Sequence, residues 1–389
     1  MKLIYLKRIH AVGMLILAGC LLMASCRKTD FPDVSNPAYL RVFNCLTYNA
    51  TIASKDAPPP FLAMLIDPKL DAAGVPVDAA ITFDFLDTRG PLARPYPDAG
   101  NTTLWQKEFP GTAKIPVGPI VNGFDLSGYG MVSGGKHRFM FVARPQSNDP
   151  FYSLNADLRK RVMIDTTVDL TSGEIYTMNV LEKSVYTRVP GIYLRNEQFT
   201  KIPFSDSMVY VNFYNLSSEG YSQTYFYNSN GPFNHNIKDT MNVFYTLYGA
   251  QSNPIKGFSN VYMTTLMRSQ DTKVSPYSSF PLFPDTTASH IFAGNAGQMF
   301  NFLVPGTPPD YQYGANNESG GIYTSLSIGP NAPVAVYNFV GDVRTGMVIS
   351  VHSGIYNPRS FATVNTVEFV NGNMYVTTLQ RRYDPPVYQ

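Results

Sequence analysis

Apolar and polar side chains alternate with a period of two along much of this chain, and almost no helical periodicity competes with that pattern. At 137–144, His137, Phe139, Phe141 and Ala143 fall on one face and Arg138, Met140, Val142 and Arg144 on the other, as a strand requires. Residues 38–46, 209–216, 334–340 and 347–351 read as further strands. The one modest helix candidate, 71–80, contains Gly74 and Pro76. Composition agrees with the pattern. Charged residues are 15% of the chain, too few for the exposed faces of long helices, while 26 Tyr, 25 Phe, 30 Pro and 29 Gly suit half-buried strands and turns. The expected class is all-β. A length of 389 residues fits two domains, and a net charge of +2 lacks the basic face that nucleic-acid binding needs.

Lys2, Lys7 and Arg8 precede an uncharged run at 11–25, shorter than the roughly 20 apolar residues of a membrane-spanning helix. The run ends at Ala24-Ser25-Cys26 and resembles a bacterial lipoprotein signal. That resemblance implies a signal peptide at 1–25, lipidation of Cys26 and a membrane partner reached through the lipid, with Cys20 of Leu17-Ala18-Gly19-Cys20 as the alternative. Residues 26–37 would be a tether. Cys45 is then the one other cysteine of the mature chain; an internal disulfide is excluded, and its apolar setting reads as a buried small side chain.

An internal repeat divides the rest. Residues 209–216 align with 38–45, so that Tyr210 meets Tyr39, Tyr214 meets Phe43 and Asn215 meets Asn44, an offset of 171 (39 to 210). Gly372-x-x-Tyr375 resembles Gly173-x-x-Tyr176, an offset of 199 (173 to 372). Pro190, Gly191 and Pro203 mark the junction, and the expectation is two antiparallel β-sandwich domains in tandem, 38–187 and 188–389.

Within the first domain the order of landmarks is the Tyr39 strand, Asp56-Ala57-Pro58 leading into Phe61-Leu62-Ala63-Met64-Leu65-Ile66-Asp67, Val132-Ser133-Gly134-Gly135, and a closing Gly173-x-x-Tyr176-Thr177 strand. This order resembles a family of secreted and lipid-anchored bacterial domains of unknown function. The resemblance covers roughly 39–181 and implies an immunoglobulin-like sandwich; 84–116 departs from the family pattern as an insertion. The leader is also similar to those of surface lipoproteins of glycan-degrading Gram-negative bacteria, which implies the outer membrane. Such bacteria glycosylate exported proteins at Asp-Ser/Thr followed by a small or apolar residue, which marks Thr166, Ser207, Thr240 and Thr286.

Catalytic signatures are sparse. Gly130–Lys136 has the glycine and lysine spacing of a phosphate loop, yet His137 stands where Ser or Thr belongs and a strand follows. There is no Gly-x-Ser-x-Gly elbow, and His137, His235, His290 and His352 lack metal-ligand spacing, so no metal or cofactor is expected. Asp84 with Asp87, and Asp165 with Asp169, are the carboxylate pairs a glycan-acting hydrolase would draw on. Aromatic side chains interleaved with amides give a stronger lead, because a ring face packs on a sugar while amides bond its hydroxyls. Tyr225 and Tyr227 form one such group, and Tyr311, Tyr313, Asn316, Asn317 and Glu318 another; Trp105 is the only tryptophan. The expected function is a non-catalytic envelope lipoprotein that binds a glycan or an envelope protein. The alternative is a subunit of a fimbria-like assembly pairing through an exposed edge near 374–382.

Overall fold

The computed structural model describes residues 33–46, 61–89, 108–110, 115–145, 147–205, 208–223, 239–249, 253–271, 273–281, 297–303, 305–309, 322–328, 363–371 and 373–380. Strands dominate. In chain order they are β1 (Pro37–Asn44), β2 (Phe61–Leu70), β3 (Pro76–Leu86), β4 (Ile120–Val121), β5 (Phe124–Asp125), β6 (Gly130–Ser133), β7 (Gly135–Arg144), β8 (Val162–Leu170) and β9 (Ile175–Glu182). There follow β10 (Pro190–Glu197), β11 (Met208–Asn215), β12 (Thr240–Tyr248), β13 (Val261–Met267), β14 (Ser278–Pro281), β15 (Gly297–Leu303), β16 (Ile322–Ile328), β17 (Thr363–Val370) and β18 (Asn373–Gln380).

Four four-stranded sheets result. Sheet I has the order β10-β9-β1-β6 and sheet II β3-β2-β7-β8; sheet III is β14-β11-β17-β18 and sheet IV β13-β12-β15-β16. Sheets I and II share one apolar core, in which Leu40 and Val42 meet Leu62, Met64, Phe139, Phe141 and Met178. Sheets III and IV share another, in which Val211 and Phe213 meet Val243, Phe300, Phe302, Val367 and Val376. Alternation along each strand explains why one face of each sheet enters such a core.

The two pairs of sheets have the same topology. Reading β11 for β1, β12 for β2, β13 for β3, β14 for β6, β15 for β7, β16 for β8, β17 for β9 and β18 for β10 reproduces every strand neighbour and direction. Register agrees too, with Tyr39 opposite Ile175 and Tyr210 opposite Val364. The match of 209–216 to 38–45 is therefore in register. The second sequence match is not: Gly173-x-x-Tyr176 enters β9, whereas Tyr375 lies on β18, the counterpart of β10. The structural equivalent of Ile175 is Val364, an offset of 189, so the later copy carries 18 extra residues between these strands (189 against 171).

Three further expectations change. Not every pair is antiparallel, because β1 with β9 and β11 with β17 run parallel. In the first copy β9 follows β8 of the opposite sheet, so no hairpin forces it to run against β1. A division after residue 187 would part β10 from β9, to which it is hydrogen-bonded from Pro190 to Glu197. The helix candidate at 71–80 is a hairpin turn followed by β3: Asp71 Oδ1 accepts the backbone N–H groups of Ala73 and Val75, and Gly74 takes φ 75°. The α-helix among the described residues is a single turn, α1 (Ala156–Arg159), capped by Asn155 and too short for periodicity to reveal.

Candidate functional site

Sheets I and III face each other through side chains that point away from the two sandwich cores. Residues on this face of β1 are Tyr39, Arg41, Phe43 and, just beyond the strand, Cys45; β11 offers Tyr210, Asn212, Tyr214 and Leu216. One buried cluster joins Phe43, Cys45, Leu181 and Tyr193 to Tyr214, Leu216, Val370 and Tyr375. Under the strand equivalence these eight are four matched pairs, so the two copies meet through the same positions.

Into this contact the chain places three arginines and three glutamates. Glu368 on β17 is fully buried and receives Arg195 Nη1 on Oε1 at 2.7 Å, Asn179 Nδ2 on Oε1 at 3.1 Å and Arg89 Nη1 on Oε2 at 2.9 Å. Glu197 Oε1 accepts Arg195 Nε at 3.0 Å and Nη2 at 2.8 Å, together with the Thr177 hydroxyl at 2.7 Å. Arg41 Nη2 donates to Thr177 Oγ1 at 3.2 Å, and Arg89 Nε lies 3.6 Å from Glu108 Oε1. Rings cover the cations: the Arg89 guanidinium is 3.8 Å from the Phe43 centroid and 4.5 Å from that of Tyr375, and Arg195 lies 4.3 Å over Tyr214.

Burial alone would raise the Glu368 pKa, but the Arg195 and Arg89 charges, with hydrogen bonds from Arg195 and Asn179, pull it down to about 2. Glu108 moves the other way: burial raises it, and Arg89 and Arg41 recover part of the rise. Burial pushes the Cys45 thiol up to about 12, so it is a packing group and not a nucleophile.

A second arrangement mimics catalytic geometry. His137 Nδ1 is 2.6 Å from Asp67 Oδ2, and Nε2 is 3.3 Å from Ser133 Oγ, the order of groups in a serine relay. Nε2 is closer, at 2.7 Å, to the backbone carbonyl of Ser133. The shorter Nε2 contact is thus to the Ser133 carbonyl and not to its hydroxyl. Asp67 Oδ1 also accepts the Arg138 N–H at 2.9 Å, so the trio ties β7 to the end of β2.

Three of the four carboxylates considered for hydrolysis, Asp84, Asp87 and Asp165, are engaged in similar ways. Asp165 holds Arg138 through two bonds of 2.8 and 2.6 Å, and Asp84 accepts the Phe151 N–H and lies 4.0 Å from Arg144. Asp87 accepts the Thr88 N–H at 2.7 Å. Gly130–Lys136 spans β6, a turn and the start of β7, with Gly135 at φ 120°, so no helix opens there to face a phosphate. Among the described residues no group of three or more His, Cys, Asp or Glu could hold a metal, and no helix is long and apolar enough to cross a membrane.

Of the sequence-derived candidates, Thr166 is half-buried on β8, on the same face as Ile164 and Val168, and Thr240 opens β12 next to the Asp239–Arg268 ion pair. Cys20, Cys26, Ser207, Tyr225, Tyr227, Thr286, Tyr311, Tyr313, Asn316, Asn317 and Glu318 lie outside the described residues. Sequence reading overlooked the charge network. Its signal was a charge inside a strand apolar on both faces, as at Arg41 within Tyr39-Leu40-Arg41-Val42-Phe43 and Glu368 within Val367-Glu368-Phe369. No family model matches the chain, and no curated protein does.

Proposed function

We propose that the chain is a non-catalytic, lipid-anchored protein of the cell envelope, held at the outer membrane through Cys26. Its two immunoglobulin-like sandwiches would present a binding or adhesion surface to an extracellular glycan or an envelope protein. The observation that supports this reading is the fate of the charged side chains. The Arg–Glu network pairs its charges with one another between sheets I and III, where it joins the two copies and is largely shut off from solvent. Ligand contact then falls to other parts of the chain, for which the tyrosine and amide groups around 225–227 and 311–318 are the candidates.

The soluble form lacking residues 1–26 should retain a glycan on an array or an envelope protein in a pull-down, and Tyr225→Ala or Tyr311→Ala should weaken that retention at least tenfold. Retention of nothing, or retention indifferent to both substitutions, would overturn the binding reading.

The fimbria-like alternative draws on β18, an edge strand of sheet III. Deleting that strand is not a clean test, because Met374, Tyr375 and Val376 are buried in the two clusters it joins. Sedimentation of the intact chain at high concentration is better, and a persistent monomer would reject assembly.

A further inference from the structure

Equivalent edges of the two copies are finished differently. β3, an edge of sheet II, carries Asp78 and Asp84 and is held by side chains from the end of β7 and the connection to β8. Arg159 Nη1 donates to the Pro76 carbonyl at 2.5 Å, Arg144 Nη1 donates to the Asp84 carbonyl at 3.3 Å, and the Tyr152 and Thr82 hydroxyls meet at 2.8 Å. Charges and covering side chains are the means by which an edge strand is kept from pairing with another chain. β13 is the counterpart edge of sheet IV, and its sequence Val261-Tyr262-Met263-Thr264-Thr265-Leu266-Met267 has no charge, proline or glycine. Among the described residues its side-chain bonds are those of its own Tyr262 and Thr265, whose hydroxyls meet at 2.8 Å, and of Thr265 with Asn242 Oδ1 at 2.8 Å.

The ladder with β12 sets which side chains stand outward. Met267, Thr265 and Tyr262 lie opposite Thr240, Asn242 and Phe244, whereas Leu266 joins the core beside Met241 and Val243. Met263 is the extra residue of a bulge, which keeps Tyr262 on the face of Thr265 and Met267. Tyr262 meets the Phe244 ring edge-on at 5.6 Å and is still 54% exposed, and Met267 is 66% exposed.

We propose that β13 pairs antiparallel with β13 of a second copy of the chain across a two-fold axis near Thr265, joining two four-stranded sheets into one of eight strands. The outward row reads Tyr262, Thr265, Met267, and its reversal by the axis sets each Tyr262 beside Met267 of the partner subunit, ring against thioether. No like charges oppose each other along the paired strands, and Arg268, the next residue, is matched by Asp239 at 3.1 Å. The contact is isologous and consumes the β13 edge of both chains, so it closes at two subunits. It is separate from the β18 edge and from the tyrosine and amide groups assigned to a ligand.

Sedimentation of the soluble form lacking residues 1–26 over a range of concentrations, with circular dichroism as the check on folding, tests the proposal. The wild type should show a monomer–dimer equilibrium that stops at the dimer. Tyr262→Lys/Met267→Lys sets lysine beside lysine at both ends of the shared ladder and should raise the dimer dissociation constant about tenfold. Tyr262→Lys/Met267→Glu sets lysine beside glutamate and should return the constant towards the wild-type value. A persistent monomer, growth beyond the dimer, a dimer indifferent to the paired lysines, or equal weakening by both double variants would overturn it. Should the lysine pair prevent folding, the wild type and the Tyr262→Lys/Met267→Glu variant decide, and loss of the dimer in that folded variant counts against the pairing.

Discussion

The sandwich cores and the contact between the sandwiches are both interiors, yet they are built from different chemistry. Leu40, Val42 and Met178 leave water by shape and hydrophobicity alone, whereas on the opposite faces of the same strands Arg41, Thr177 and Asn179 are just as buried and must be answered bond for bond. An apolar core tolerates substitutions that keep volume and pattern. A buried ion network fails when one member goes, because the remaining charges keep their desolvation penalty without the matching attraction. The faces that carry charge are those where the two copies meet.

Removing the centre of the network should have the largest effect. Glu368→Ala leaves Arg89 and Arg195 without their shared carboxylate and is expected to cost about 3–5 kcal/mol in urea unfolding. Replacing Glu368, Arg89 and Arg195 together by apolar residues of similar volume should restore most of that loss, and failure to do so would mean that the network contributes net stability beyond mutual compensation.

Acid should separate the two interiors next. Glu368 falls from an ordinary 4.5 to about 2 in the fold, so its contribution is complete above about pH 4.5 and is lost as pH falls through about 2. Glu108, raised by burial, acts in the opposite sense: its contribution is present below its ordinary pKa and lost as pH rises. The slope of stability between pH 4.5 and 2 should therefore be steep in the wild type and shallower in Glu368→Leu, whereas a core substitution such as Leu40→Ala should leave the slope unchanged.

A smaller and matched effect is expected at Asn44 and Asn215. Each caps the end of its strand in the same way, accepting the N–H two residues on, from Leu46 at 3.1 Å and from Ser217 at 3.2 Å. Alanine at either should cost about 1–2 kcal/mol, and a large inequality would break the equivalence of the copies. Least of all should come from Cys45→Val, below about 1.5 kcal/mol, since the equivalent position is already Leu216. The native Cys45 thiol should resist alkylation until the chain unfolds.

The strand class was legible because period-two alternation needs only neighbours: 137–144 reads as β7 with both faces correctly separated. Residues 38–45 and 209–216 carried the repeat because the same double burial shapes both segments. What remained hidden depends on partners distant in sequence. Arg89 lies in a stretch that reads as an insertion, and its carboxylate partner is 279 residues away. The Gly-x-x-Tyr match misled because a glycine turn before a tyrosine-bearing strand serves two different strand positions here. Asn122-Gly123, with φ 49° and 79°, was a readable hairpin signal joining β4 to β5 that passed unnoticed.

The separation between Arg89 and Glu368 also bears on how the chain is made. Synthesis runs from the N-terminus, so sheet I can close once β9 and β10 exist, while β17 is still some 170 residues away (197 to 363). During that interval Glu197 already serves Arg195 within the first copy, whereas Arg89 Nη1 and Arg195 Nη1 await the one carboxylate that is made late, Glu368.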